Sequence, residues 1–279
     1  MSIVPSSEFF LIPLGFLVGT YGTLIGAGGG SILVPALLFL YPTAAPATIS
    51  SISLAVVFFN AASGSLAYAL EGRIDYRSGF RFAGATIPGA IAGALVVGYL
   101  PRSFFEGILG LVLTLIALAV IFRPGPAIVG LAAPRPGAVT RIVVDSSGTI
   151  HEYQFYEWQG ILLSVGVGFL SSLLGIGGGV IHVPALVLLL HFPTHIATAT
   201  SQLILGVMAL AGTAVHVVSG ELAPGSGLIR SLFLAAGVIP GALLGAQLSH
   251  RAGGTLIIRL LGIGLGLIGL RLLFSFVVR

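Results

Sequence analysis

Charge is scarce along this chain. Only 7% of its 279 residues are charged, while 56% are hydrophobic and the mean hydropathy is +1.12. A water-facing surface needs far more, about 25% charged residues in soluble domains. The apolar surface therefore faces lipid, and the composition predicts an all-α polytopic membrane protein. The net charge of +4 comes from twelve arginines and no lysine. They are scattered singly through loops, so there is no nucleic-acid footprint. The absence of cysteine excludes disulfides, thiolate catalysis, Fe–S clusters and cysteine zinc sites. Without lysine there is no Walker A loop, Schiff base or pyridoxal site, and no cofactor is expected. The first basic residue is Arg73, so Met1–Glu8 lacks the positive start of a secretory leader. The first apolar run is expected to belong to the mature protein.

Apolar runs fall at 9–25, 31–41, 49–70, 80–99 and 104–122, then at 159–174, 180–191, 198–218, 228–249 and 254–278. About 20 apolar residues cross a bilayer, so three runs in each half are full spans. Those at 31–41 and 180–191 are about half a crossing, and each follows a triple glycine. Such pieces are broken or re-entrant helices, tolerated only when buried in protein or lining a polar cavity. The chain divides into a first transmembrane repeat at 1–122, a cytoplasmic linker at 123–158 and a second repeat at 159–279. Pro124, Pro126, Pro134 and Pro136 make the early linker irregular. Arg141–Asp145 and Thr149–Tyr153, around Ser146-Ser147-Gly148, predict a β-hairpin.

The halves repeat each other. Gly26-Ala-Gly-Gly-Gly-Ser-Ile-Leu-Val-Pro35 matches Gly175-Ile-Gly-Gly-Gly-Val-Ile-His-Val-Pro184. Ala47-Thr-Ile-Ser-Ser51 matches Ala197-Thr-Ala-Thr-Ser201, and Ile87-Pro-Gly-Ala matches Ile239-Pro-Gly-Ala. Three blocks in one order imply duplication, and interrupted segments at matching positions point to a transporter's binding site. Arg73, Arg77 and Arg81 crowd one loop while Arg123, Arg135 and Arg141 lie in the linker, so both are expected to be cytoplasmic. Re-entrant pairs would give five helical segments per half and inverted repeats; broken spans would give four crossings and parallel repeats. The arginine-free N-terminus favours inversion.

A helix that starts after a glycine triplet aims unpaired N–H groups and its positive dipole end at whatever fills the gap. Gly28, Gly29 and Gly30 with Gly177, Gly178 and Gly179 would, brought together, make an anion cradle that needs no lysine. Ser31 stands at the first helix start. Ser50, Ser51, Thr200, Ser201 and Gln202 begin the next long helices and offer neutral donors, and Asn60 and His182 complete the candidate solute-binding set. Gly89/Gly93 and Gly241/Gly245 read as packing contacts of the small-xxx-small kind. A dinucleotide fingerprint is excluded, because Ser31 and Val180 stand where its last glycine belongs. His191, His195 and His216 read as interfacial, and Arg259 and Arg271 as snorkelling anchors. All eight acids fall in turns, at segment starts or in the linker. A cation pump wants an acid in the membrane, so a negative solute fits better.

The doubled Gly26–Pro35 and Gly175–Pro184 blocks, each opening half of a charge-poor duplicated chain, resemble the TauE/SafE family, the sulfite exporter or 4-toluene sulfonate uptake permeases. The resemblance covers roughly 8–122 and 158–278. It implies a non-enzymatic secondary permease of the bacterial cytoplasmic membrane. Its solutes would be small sulfur-containing anions such as sulfite, thiosulfate, sulfoacetate or other organosulfonates, moved by alternating access around a midplane site. His182 faces Leu33 in the repeat alignment, so no family role passes to it. The partners expected are the small anionic solute and the bilayer, with no nucleic acid; a homodimer is among the assemblies allowed. An anion channel on the same repeat is the alternative. A distant third is an intramembrane hydrolase using Ser63 with His216 as base.

Overall fold

The computed structural model describes residues 8–122, 136–222 and 225–278. Arg123, Pro124, Pro126, Pro134 and Arg135 lie outside the described residues. The first half runs through α1 (Leu11–Leu24), α2 (Gly30–Leu40), α3 (Pro46–Leu70), α4 (Tyr76–Val96, extended by a 3-10 turn) and α5 (Arg102–Phe122). Strands β1 (Val139–Val144) and β2 (Ile150–Phe155) follow, then α6 (Glu157–Leu174), α7 (Gly179–Leu188), α8 (Thr194–Val218), α9 (Ser226–Arg251) and α10 (Gly254–Val278). Among the described residues, seven helices are long and apolar enough to cross a membrane: α3 to α6 and α8 to α10. Large apolar side chains such as Leu66, Leu115 and Leu267 stand on their outer faces, more than half exposed, where lipid replaces water. The chain is a multi-pass, all-α membrane protein.

Local sequence sets the helix boundaries. Pro46 opens α3, where its missing N–H costs nothing. Asp75 caps α4 by accepting from the Ser78 N–H at 3.0 Å. The end of α2 leaves carbonyls without intrahelical partners, and Arg102 donates to those of Leu38, Tyr41 and Ala44. Its positive charge also suits the negative end of that helix.

The halves interlock instead of standing side by side. Helix α1 packs along α9, α6 along α4, and α5 against α10, with α3 and α8 crossing at the centre. Glycine makes the first two contacts close. A methyl group at Gly241 or Gly245 of α9 would strike the carbonyl oxygens of Phe16 or Thr20 on α1. Its counterparts at Gly89 and Gly93 of α4 would strike those of Val165 and Phe169 on α6. Backbones touch here, as the small-residue reading expects.

The start of α1 and the end of α2 lie together. The Tyr41 hydroxyl donates to Glu8 Oε2 at 2.8 Å, Arg230 Nε donates to Glu8 Oε1 at 3.1 Å, and the Arg230 guanidinium lies 3.8 Å from the centre of the Tyr41 ring. The matching pair behaves alike. Tyr153 and Phe155, which lead into α6, pack on Phe192 just after α7, with ring centres 4.4 and 4.9 Å away. In each pair the entry and the exit thus lie together, although α6, at 18 residues, has the length of a span and brings the second half to four rather than the expected three.

The strands pair antiparallel, Arg141 opposite Tyr153, around a turn in which Asp145 Oδ1 accepts from the Ser147 and Thr149 N–H groups and the Ser147 hydroxyl. The Ser147 hydroxyl, with further help from His151 and the turn amides, holds the Asp145 carboxyl well below the usual carboxylate range, against the pull of desolvation. This β-hairpin docks on both halves. The Tyr153 hydroxyl donates to Asp75 Oδ2 at 2.8 Å, Arg141 Nε donates to Ser78 Oγ, and the Ser146 N–H donates to the Glu71 carbonyl. Arg81 pairs with Glu157 across the same end. Burial beside Asp75 pushes the Tyr153 phenol far up, so it stays a donor at any physiological pH.

Because the glycine contacts are backbone to backbone, Gly89→Val and Gly241→Val should each cost more than about 3 kcal/mol, beyond ordinary overpacking. Size-exclusion chromatography in detergent should show the folded peak lost for both. It should remain for Gly84→Val, whose added atom meets nothing within 4 Å.

Candidate functional site

Both glycine triplets sit at the ends of folded-back pairs, and the fold presses them together. Gly28 and Gly29 (φ 74° and 80°), with Gly177 and Gly178 (φ 79° and 63°), occupy the left-handed region that glycine alone enters without strain. This lets each chain reverse within four residues and restart as a helix. The Ala27 and Gly28 N–H groups both donate to the Gly22 carbonyl, closing the end of α1. The two loops then meet. A methyl at Gly30 would lie 2.6 Å from the Ile176 carbonyl oxygen, and one at Gly179 would strike that of Gly26.

The helix starts carry what a cradle needs. Among the described residues, the N–H groups of buried Gly30 and Ser31 in α2 and of buried Val180 in α7 have no backbone acceptor, although buried donors without partners are rare. The Ser31 hydroxyl is likewise buried with no partner. The long central helices hold the loops by their carbonyls. Ser201 of α8 donates to the Gly26 carbonyl at 3.2 Å, and Ser53 of α3 donates to that of Gly175 at 2.6 Å. Ser50 donates to the Ser172 carbonyl at 2.9 Å.

These bonds reset the repeat register. Matching small residues paired Ser51 with Ser201, but the geometry equates Ser53 with Ser201, two positions on. The same shift equates Gly64, against Thr23 and Gln202, with Gly212, against Ser172 and Leu54. Ser53 is thus a loop-holding residue that sequence matching missed. The lengths of α3 and α8, 25 residues each, would have revealed it had the helix starts been aligned.

The corrected register exposes an unequal pair of walls. Beside the first loop, the Thr23 hydroxyl donates to Asn60 Oδ1 at 2.8 Å, the Tyr68 hydroxyl donates to the Thr23 carbonyl, and Gln202 Nε2 reaches the Gly22 carbonyl at 3.4 Å. Asn60 Nδ2 and Gln202 Oε1 remain buried without partners. The counterparts beside the second loop are Ser172, Met208, His216 and Leu54. There the Ser171 and Ser172 hydroxyls are unpartnered. One wall is wholly polar; the other mixes polar Ser171, Ser172 and His216 with apolar Met208 and Leu54.

Three of the candidate residues turn elsewhere. Thr200 accepts from the Asp75 N–H at the foot of α4, and Ser51 donates to the Thr48 carbonyl within its own helix. His182 is buried in α7 and faces α6, its Nε2 3.2 Å from Ser164 Oγ, with Nδ1 unpartnered. No hydrogen bond joins Ser63 to His216, whose Nε2 meets no partner. Losing both loop-holding hydroxyls in Ser53→Ala/Ser201→Ala should lower stability by about 2 kcal/mol, near 1 for each bond. Thermal unfolding in detergent checks this, with Ser51→Ala, which holds no loop, as the comparison.

Residues 11–272 match the family model described as sulfite exporter TauE/SafE. The chain is 33% identical to the probable membrane transporter protein YunE of Bacillus subtilis, over 96% of this chain and 98% of that one. It is also 33% identical to the probable membrane transporter protein YdhB of the same organism, over 86% of this chain and 89% of that one. A probable membrane transporter protein of Methanocaldococcus jannaschii, MJ0441, is 26% identical over 72% of this chain and 69% of its own. No solved structure matches.

Proposed function

The chain belongs to the sulfite exporter TauE/SafE family of membrane transporters, and from that premise we propose that it is a secondary permease for small sulfur-containing anions in a bacterial cytoplasmic membrane. One observation carries the reading. Two helices begin against each other deep in the protein with unpaired backbone N–H groups, and an anion is the natural partner for such donors. Sulfite, thiosulfate and sulfonates are compact oxyanions with several acceptor oxygens, suited to donors that arrive from two sides.

We read the halves as inverted repeats. The meeting of Glu8 with Tyr41, and of Phe155 with Phe192, supports re-entrant pairs, which leaves three crossings in each half and reverses the second. Arg73, Arg77, Arg81, Arg141 and Arg251 gather at the β-hairpin end, which supports a cytoplasmic position for it. Alternating access would then come from the two re-entrant pairs moving against the crossed pair α3 and α8. The carrier is preferred to a channel because the two loops touch at Gly30 and Gly179.

Gly29→Leu would be a poor test. Its side chain would run into Val18 of α1 at a left-handed position and so would report on folding. Ser31→Ala is cleaner. In liposomes the native protein should take up labelled sulfite, thiosulfate or sulfoacetate and show counterflow. Ser31→Ala should weaken apparent affinity about tenfold, the scale of a hydrogen bond to a charged group. Absence of flux for every sulfur anion in the native protein would overturn the reading, and flux without counterflow would favour a channel.

A further inference from the structure

The touching glycine loops are covered by two side chains that the corrected register makes equivalent, Val57 of α3 and Leu205 of α8. A methyl at Gly177 would lie 2.6 and 2.9 Å from the two Val57 Cγ atoms. One at Gly28 would strike Leu205 Cδ2 and lie 3.2 Å from Val57 Cγ1. Both side chains are fully buried, and with Leu54, Ala61 and Ala209 they form an apolar cluster separate from the main core. Met208 continues the cover, its Sδ 3.1 Å from the place of a Gly178 side chain.

This placement is costly unless it has a use. The unpaired amides at the starts of α2 and α7 and the Ser31 hydroxyl lie beside loops whose Gly28 and Gly177 meet methyl groups of Leu205 and Val57, although Ser201 and Ser53 of the same helices bond those loops at Gly26 and Gly175. We propose that Val57 and Leu205 are the gate of this permease: a dry apolar seal, contributed symmetrically by the two central helices, that closes the anion site. The proposal deepens the permease reading and rests on it. Hydrophobic constrictions hold back water and hydrated ions without any charged group. Because one residue comes from each half, movement of the two loops away from α3 and α8 lifts Gly177 off Val57 and Gly28 off Leu205 and wets both helix starts together. The seal is the barrier that stops solute leaking between turnovers, and its two members act as positioning residues, not as ligands.

A chain with no cysteine allows a test that needs no knowledge of the solute. Ser31→Cys places one thiol at the sealed helix start, and a membrane-impermeant sulfonate-bearing methanethiosulfonate is the probe. In liposomes, labelling of this variant should be slow. Adding Leu205→Ala or Val57→Ala should speed it roughly tenfold or more, the scale that loss of buried side-chain contacts allows. Leu205→Met, which keeps the volume, should restore protection. Leu234→Ala, in the core between α1 and α9, should leave labelling slow. Size-exclusion and melting profiles confirm that each variant is folded, and Leu205→Ile replaces Leu205→Ala if the latter fails. Rapid labelling of Ser31→Cys alone, or unchanged labelling on truncating both side chains, overturns the seal. Flux of sulfur anions by the native protein is measured separately. Its absence with seal-dependent labelling refutes the permease reading, and its presence with indifferent labelling refutes the seal.

Discussion

A backbone amide without a partner is intolerable in lipid, and this fold is organised around a few of them. Each helix start inside the membrane must hide its N–H groups or offer them to a ligand. Two such starts are placed face to face, where protein excludes lipid on every side. The glycines permit the reversal, Ser53 and Ser201 pin the reversed loops, and Arg102 neutralises the far end of α2. None of these groups is a lysine, in keeping with a chain of which only 7% is charged.

Duplication supplies the frame, and divergence supplies the chemistry. The glycine contacts of α1 with α9 at Gly19, Gly241 and Gly245 recur in α6 with α4 at Gly168, Gly89 and Gly93, while Ala85 and Ser164 replace Gly237 and Gly15. At the centre that equivalence breaks down. Thr23, Asn60, Tyr68 and Gln202 line one side, while Ser172, Met208, His216 and Leu54 stand opposite. Symmetry serves the packing, and its loss gives the two loops different surroundings.

Much of this was legible in the residues. Among the described residues the ten apolar runs form ten α-helices within a few residues of their expected bounds, because hydropathy and Pro/Gly breaks act locally. The triple glycines marked the reversals, and the Ile-Pro-Gly-Ala blocks were packing surfaces. Orientation of side chains was harder to read. Thr200 and Ser51 lie on the right helices but on other faces, and His182 looks toward α6. Those outcomes depend on helix rotation, which small, similar side chains in a buried helix barely record. The same degeneracy placed Ser51 opposite Ser201 and hid Ser53. Seven helices carry span-like length, yet the contacts of Tyr41 and Phe192 are long-range and appear in no local pattern.

The interlocking of α1 with α9 bears on how the molecule is made. When the ribosome has delivered the first five helices, the grooved faces of α1 and α4 still lack their mates. The first half therefore cannot complete its packing until α6, and then α9, has been made. Assembly order, as much as equilibrium packing, is thus written into the crossing of the two halves.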